Sequence, residues 1–158
     1  LQTFEFPINA WSRSAKQMDG VQCFAGAEGL DEFLASSKVL VCILPLTDDT
    51  RGILNHQNRS QLPQSSYVII VARGAHAVEE DLLALVRSGH IAGATLDVFQ
   101  QEPLPADHAF WQEKRITITP HVAAVTMIDE SAEQIAVKIA ALERGEAVAG
   151  VVDRLRGY

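Results

Sequence analysis

The chain alternates short, wholly apolar runs with segments whose apolar residues recur at helical spacing. Val39-Leu40-Val41-Cys42-Ile43-Leu44 and Tyr67-Val68-Ile69-Ile70-Val71 show no polar alternation, which is the pattern of strands covered on both faces by helices. Five strands are predicted: Ile8–Ser12, Val39–Leu44, Tyr67–Ala72, Gly93–Val98 and Ile116–Thr119. Between them, Leu30, Phe33 and Leu34 mark a short helix. Val78, Leu82, Leu85 and Val86 share one face of a second helix, which Ser88-Gly89 should stop by a left-handed glycine cap. In a long last helix, Ile128, Ala132, Ile135, Ile139 and Leu142 repeat at spacings of four and three. Thr126 and Asp129 are placed to cap its start, and Arg144-Gly145 to end it. Strand–helix alternation of this kind predicts an α/β chain built as a doubly wound parallel sheet. The segment Gln100–Glu113, rich in proline and acid, is its one substantial loop, and long ordered loops in such domains usually carry function.

Composition narrows the picture only a little. At 158 residues, with 47% hydrophobic and 21% charged residues, the chain has the make-up of an ordinary globular protein with a real core. A net charge of −7 with scattered basic residues argues against a nucleic-acid surface. No apolar run approaches the length of a membrane span, and no signal peptide is visible. Cys23 and Cys42 lie in apolar surroundings without metal-ligand spacing, so free thiols and a reducing, cytoplasmic setting are expected. Leu1 is not an initiator Met, and Leu1–Phe6 reads as the end of a segment already under way, so further residues upstream are expected.

Open parallel sheets bind ligands at the carboxyl ends of their strands, which gives a positional test for chemistry. Ala72-Arg73-Gly74 leaves one strand end, and an Arg there can present its planar fork to a carboxylate while Gly74 lets the chain turn. Asp97 closes the next strand, where a buried charge needs a partner, and Glu102 follows in the loop. Thr119-Pro120-His121 ends the last strand and points a histidine toward the long helix. Of the other histidines, His56, His90 and His108 are most simply exposed, while His76 is near enough to Arg73 to be held in reserve. Taken singly, Arg73 is better explained as a surface residue ahead of a helix, and Glu102 as a solvated loop residue. Taken together, an Arg, a carboxylate and a His after successive strands would converge on one sheet edge.

The ordered blocks VARG, DVFQQEPLP and TPHVAA resemble those of the D-isomer-specific 2-hydroxyacid dehydrogenase family, over most of the chain from Trp11 onward. WSRS, QEPLP and the ending VDRLRGY look most like its glyoxylate/hydroxypyruvate reductase branch. The resemblance implies a Rossmann-like fold that lacks its first strand and glycine-rich turn. Residues 1–125 would form the partial dinucleotide-binding domain. Residues 126–158 would be a C-terminal helix and tail packing toward a substrate domain outside the chain. It also implies roles. Arg73 would bind the carboxylate and carbonyl of a small 2-oxo acid, and His121 would protonate the carbonyl oxygen. Glu102 would hold the imidazole by its second nitrogen and favour its protonated form, and Asp97 would meet the nicotinamide end of the cofactor. Ala72 and Ala123, beside Arg73 and His121, would lie along the cofactor, as would Leu44-Pro45 with Thr50. A homodimer is implied as well.

Cofactor choice has its own signal. An NAD enzyme normally carries an acid after the second strand of the fold, for the ribose hydroxyls. Here Trp11-Ser12-Arg13-Ser14 follows instead, and a cation flanked by hydroxyls suits a 2′-phosphate, so NADP(H) is favoured over NAD(H). Two departures from the family pattern stand out. No G-x-G-x-x-G occurs, Gly26 and Gly29 do not supply one, and Ile70 stands where the family often has Asn. They leave two alternatives to a reductase: an inactive fragment, or a dinucleotide-binding module without catalysis.

Overall fold

The computed structural model describes residues 1–154; the last four residues of the VDRLRGY ending lie outside them. Among the described residues six strands and four α-helices follow in the order β1 (Ile8–Ser12), β2 (Val21–Ala25), α1 (Gly26–Ala35), β3 (Val39–Cys42), α2 (His56–Ser60), β4 (Ser66–Ile70), α3 (Glu79–Arg87), β5 (Ile91–Leu96), β6 (Ile116–Ile118) and α4 (Ile128–Glu143). Strands β3-β4-β5-β6 form one sheet in that order, all parallel, and β1 pairs with β2 in a separate parallel sheet. The α/β parallel architecture expected from the apolar runs is therefore present, with β2 and α2 as additions that the periodicity did not mark. β2 mixes Gln22 and Cys23 into a short run, and α2 has a single turn of polar residues; neither carries a clear period.

The predicted strand ends run a residue or two beyond the regular strands. The reason is visible in the backbone. The ladder continues past each end, with Val71 N donating to Cys42 O (3.3 Å), Asp97 N to Ile70 O (3.0 Å) and Thr119 N to Leu96 O (3.0 Å). Parallel order thus brings the carboxyl ends of β3, β4, β5 and β6 to one edge.

The core lies around β4 and β5, where Val68, Ile70, Ala94 and Leu96 pack with Leu82, Leu85 and Val86 of α3. Ile70 is fully enclosed there, so an apolar side chain suits the position. Two expectations fail. β3 is covered on one face only, since Val39 and Val41 are exposed while Leu40 and Cys42 are buried. The other concerns α4, whose apolar stripe lies in solvent, with Ile128, Ile135, Ile139 and Leu142 each more than half exposed: Thr126 does not cap it. Met127 occupies the N-cap, and its side chain makes no capping hydrogen bond. Helix α3 starts after Val78 and ends before Gly89, whose φ of +79° is the left-handed cap expected.

Both cysteines are free; Cys42 is buried, which raises its thiol pKa, and Cys23 is half-buried. Arg59, on α2, is fully buried and donates to Val78 O (2.7 Å) just ahead of α3. Burial pushes its pKa down to about 10, against the opposing pull of Asp81. Among the described residues no helix is long and apolar enough to cross a membrane.

Gly74 is needed for a different reason than a turn. A Cβ built there would lie 1.9 Å from the carbonyl carbon of Phe99 and 2.5 Å from Gln100 N, so the backbone after β4 presses directly on the backbone after β5. Neither partner is a flexible side chain that can step aside. Gly74→Ala is expected to cost about 3 kcal/mol, at the upper end of ordinary overpacking, as read from the denaturant midpoint. A variant of unchanged stability would mean that the two loops are not held in contact.

Candidate active site

The site assembles where β4, β5 and β6 end. After β4 the chain passes through Val71 and Ala72 to Arg73, then into a 3-10 turn, Gly74–His76. Arg73 is exposed and donates from one guanidinium nitrogen to Ala72 O (2.6 Å). After β5, Asp97 is enclosed while Glu102 is partly open. After β6, His121 takes a left-handed φ of +56°, unusual for a side-chain-bearing residue.

Glu102 and His121 form the central pair. Glu102 Oε2 lies 2.7 Å from His121 Nδ1, and Glu102 Oε1 accepts from Phe99 N (3.0 Å). The hydrogen bond from His121 comes first among the causes that hold the Glu102 carboxyl below its ordinary range. The Phe99 N–H and the nearby Arg73 charge reinforce it against partial burial. With Nδ1 bound, Nε2 is the nitrogen left for a substrate, and His121 is about half open to solvent.

Asp97 braces the same turn. Its Oδ1 accepts from the Thr119 hydroxyl and from Val122 N (2.9 Å), and its Oδ2 accepts from Ala123 N (2.9 Å). Burial raises its carboxyl pKa, but the Thr119 hydroxyl and the two backbone donors outweigh that and leave it lowered. The carboxylate thus grips residues on both sides of His121. Both oxygens face the loop around His121.

The acidic loop is tied to α3 by groups the sequence did not single out. Gln100 N donates to Glu79 Oε1 (2.9 Å), Gln100 Nε2 donates to Ala77 O (2.8 Å), and His108 lies 3.5 Å from Glu79. His108 is therefore half-buried against α3 rather than exposed. His90 is half-buried too, beside Gln64, while His56 is exposed as expected. Three acids in the first turn of α3 were the available signal for Glu79.

The dinucleotide candidates fall into two groups. Leu44, Pro45 and Ala72 line a cavity of about 590 Å³ together with Ile43, Leu46, Val71 and Arg73. Thr50 is buried and donates its hydroxyl to Pro45 O (2.7 Å) while accepting from Thr47 N (2.8 Å), so it shapes that segment. At the end of β1, Arg13 pairs with Asp49 at 3.3 Å, and the Ser12 hydroxyl donates to Ser14 O (2.9 Å). The acid that the sequence around Arg13 lacks is thus brought in from the loop after β3. No group of His, Cys, Asp and Glu among the described residues could hold a metal ion.

Comparison with known proteins shows the family. Residues 1–123 match the family model for the D-isomer specific 2-hydroxyacid dehydrogenase NAD binding domain. The chain belongs to this family. A D-isomer specific 2-hydroxyacid dehydrogenase from Xanthobacter autotrophicus, solved with NADPH and MES, is 45% identical, with a TM-score of 0.94 over 97% of this chain and 63% of its own. An NADPH-dependent glyoxylate/hydroxypyruvate reductase from Sinorhizobium meliloti, solved with NADP and sulfate, is 38% identical, with a TM-score of 0.95 over 99% of this chain and 51% of its own. A probable 2-hydroxyacid dehydrogenase from Rhizobium etli, with NADP, HEPES and L(+)-tartaric acid, is 37% identical, with a TM-score of 0.93 over 99% of this chain and 51% of its own. The chain thus spans between half and two thirds of the length of these structures.

Replacing Asp97 tests the brace. In Asp97→Asn an amide N–H would face either Ala123 N–H or the donors at Oδ1, and one buried donor would lose its acceptor. The expected loss is about 2 kcal/mol at neutral pH. Because the folded Asp97 pKa is lowered, its ionised form stabilises the fold above the ordinary value of 3.8, and this is lost as pH falls through the lower folded value. The gap between wild type and variant, measured as unfolding midpoints, should therefore narrow in acid below that value. A gap that persists unchanged would show that the carboxylate charge is not what Thr119, Val122 and Ala123 bind.

Proposed function

We propose that this chain supplies the catalytic edge and part of the cofactor site of an NADPH-dependent reductase of small 2-oxo acids, with glyoxylate or hydroxypyruvate as substrate. The observation that carries the reading is the Glu102–His121 pair at 2.7 Å with Arg73 near enough to act on Glu102 electrostatically, all at successive strand ends. The cofactor, when bound, supplies a hydride to the carbonyl carbon. The chain's own residues handle the rest. Arg73 turns its fork from Ala72 O to the substrate carboxylate and carbonyl, which it binds through two parallel hydrogen bonds. Negative charge then grows on the carbonyl oxygen, and His121 Nε2 gives it a proton, forming the hydroxyl of the 2-hydroxy acid. Glu102 stays ionised and holds Nδ1, which keeps Nε2 turned to the substrate. Asp97 keeps the turn around His121 from drifting out of line.

The residues present fit a dinucleotide. Leu44, Pro45 and Ala72 give an apolar wall along the cavity, and Ala123, on the turn after β6, would add to it. Arg13 would hold the 2′-phosphate. Its pairing with Asp49 is between exposed groups and weak, so a doubly charged phosphate can take the guanidinium from it. Ser12 and Ser14 would add hydroxyl donors beside it. A glycine-rich turn upstream of Leu1 would complete the phosphate site, and residues 126–158 would pack toward a substrate domain of the same protein in a homodimer. The exposed apolar stripe of α4 supports that packing. A cytoplasmic location accords with the two free thiols.

The reaction is tested on the protein encoded by the complete reading frame, through loss of NADPH absorbance with glyoxylate and hydroxypyruvate. His121→Ala should lower kcat by about 100-fold or more, the usual share of a positioned proton donor. Unchanged turnover would remove His121 from the mechanism. In a separate measurement, Arg13→Ala should raise the KM for NADPH about tenfold while leaving that for NADH within twofold, as expected for a lost charged hydrogen bond. Equal effects on both cofactors would place the 2′-phosphate elsewhere.

A further inference from the structure

The cavity lined by Pro45 and Leu46 on one side and Ala72 and Arg73 on the other has a fully buried imidazole behind it. His76 belongs to the 3-10 turn that follows Arg73, and none of its surface reaches solvent. Its two ring nitrogens meet one residue from each wall. Nδ1 lies 2.9 Å from Arg73 O, and Nε2 lies 3.3 Å from Pro45 O. Both facing atoms are carbonyl oxygens, so a neutral ring donates to one of them and rests its other nitrogen against the second. Water cannot replace it at either carbonyl without entering a closed space.

The surroundings fix the ring itself. His76 N donates to Arg73 O (3.1 Å), and His76 O accepts from Leu54 N (2.9 Å). Gly52 N donates to Ala75 O and Val78 N to Leu54 O, so the turn is bonded as a short ladder to the segment after Thr50. Pro45 O has a second donor in the Thr50 hydroxyl. The His76 ring spans 31 residues of sequence to reach the second wall.

We propose that His76 is a positioning residue that sets the spacing between Arg73, on the substrate wall, and the Pro45 segment, on the cofactor wall. The identity of the two ligands rests on the function proposed above; the spacing device rests on the His76 contacts. With the ring in place, each wall stands where its ligand needs it before either ligand arrives, which spares the ordering cost of binding. An amide can replace one ring nitrogen at a time. Asn at this position reaches Arg73 O as Nδ1 does, and Gln reaches toward Pro45 O as Nε2 does.

The experiment measures equilibrium binding to the protein of the complete reading frame: NADPH by fluorescence titration, then oxalate, a stable mimic of a 2-oxo carboxylate, to the NADPH complex. His76→Asn should bind oxalate within twofold of wild type and NADPH about fivefold more weakly. His76→Gln should show the reverse, and His76→Leu should lose both. Melting temperatures of the Asn and Gln variants should lie close together. The proposal is overturned if both amide variants bind both ligands as wild type does. It is equally overturned if both weaken the two ligands alike, which is general loosening, or if wild type binds neither ligand. Wild type that binds both ligands but reduces neither glyoxylate nor hydroxypyruvate overturns the proposed reaction alone, and the split between variants still decides the role of His76.

Discussion

The contact on which the site depends is between two stretches of backbone. At Gly74 the chain leaving β4 lies so close to Phe99 and Gln100, leaving β5, that no side-chain carbon fits between them. Arg73 is the residue before this contact, and Glu102 is held by Phe99 N within it. The backbone that carries Arg73 and the backbone whose N–H holds Glu102 are thus in direct contact. The parallel sheet brings the strand ends to one edge, and the glycine brings two of them to touching distance.

Two carboxylates then divide the work according to their surroundings. Asp97 is enclosed and spends its lone pairs on a hydroxyl and two backbone N–H groups, so it acts on the loop. Glu102 is partly exposed and divides itself between one backbone donor and an imidazole, so it acts on the histidine. Both are held ionised, for the same reason: hydrogen bonds that exist only for the charged form outweigh what burial costs. Replacing either by the other residue's environment would give a buried charge with too few donors, or an orienting group without a grip.

The sequence disclosed which residues stand at the strand ends better than it disclosed the packing. Arg73, Glu102 and His121 could be placed because each follows an apolar run that reads as a strand, and the parallel order needed to align them follows from the alternation with helices. β2 and α2 escaped notice because five-residue elements with mixed polarity carry too little periodicity to separate from loops. Gly74 was marked as a turn, yet its role is a close approach from a distant loop, which no local pattern can encode. His76 lay in reserve because its importance comes from Pro45, far away in sequence. Leu40 and Cys42 were expected in the core, and they are; Val39 and Val41 were expected there also, and an apolar run alone cannot say whether one face or two will be covered. The hydroxyls and cation after β1 were legible in the sequence, but Asp49 arrives beside them only through tertiary structure.

The backbone at His121 shows what this arrangement demands. A residue with a Cβ at φ +56° is strained, and glycine would adopt that conformation freely. Structure alone would therefore favour glycine at this turn. The strain is instead held in place by Asp97, which grips Thr119 before it and Val122 and Ala123 after it, with His121 N donating to Thr119 O (3.1 Å) across the turn. Four hydrogen bonds thus surround one unfavourable dihedral, and their effect is to aim Nδ1 at Glu102 and leave Nε2 for a ligand. A stabilising turn would not need an imidazole at its apex; a proton donor fixed over the sheet edge would need all of it.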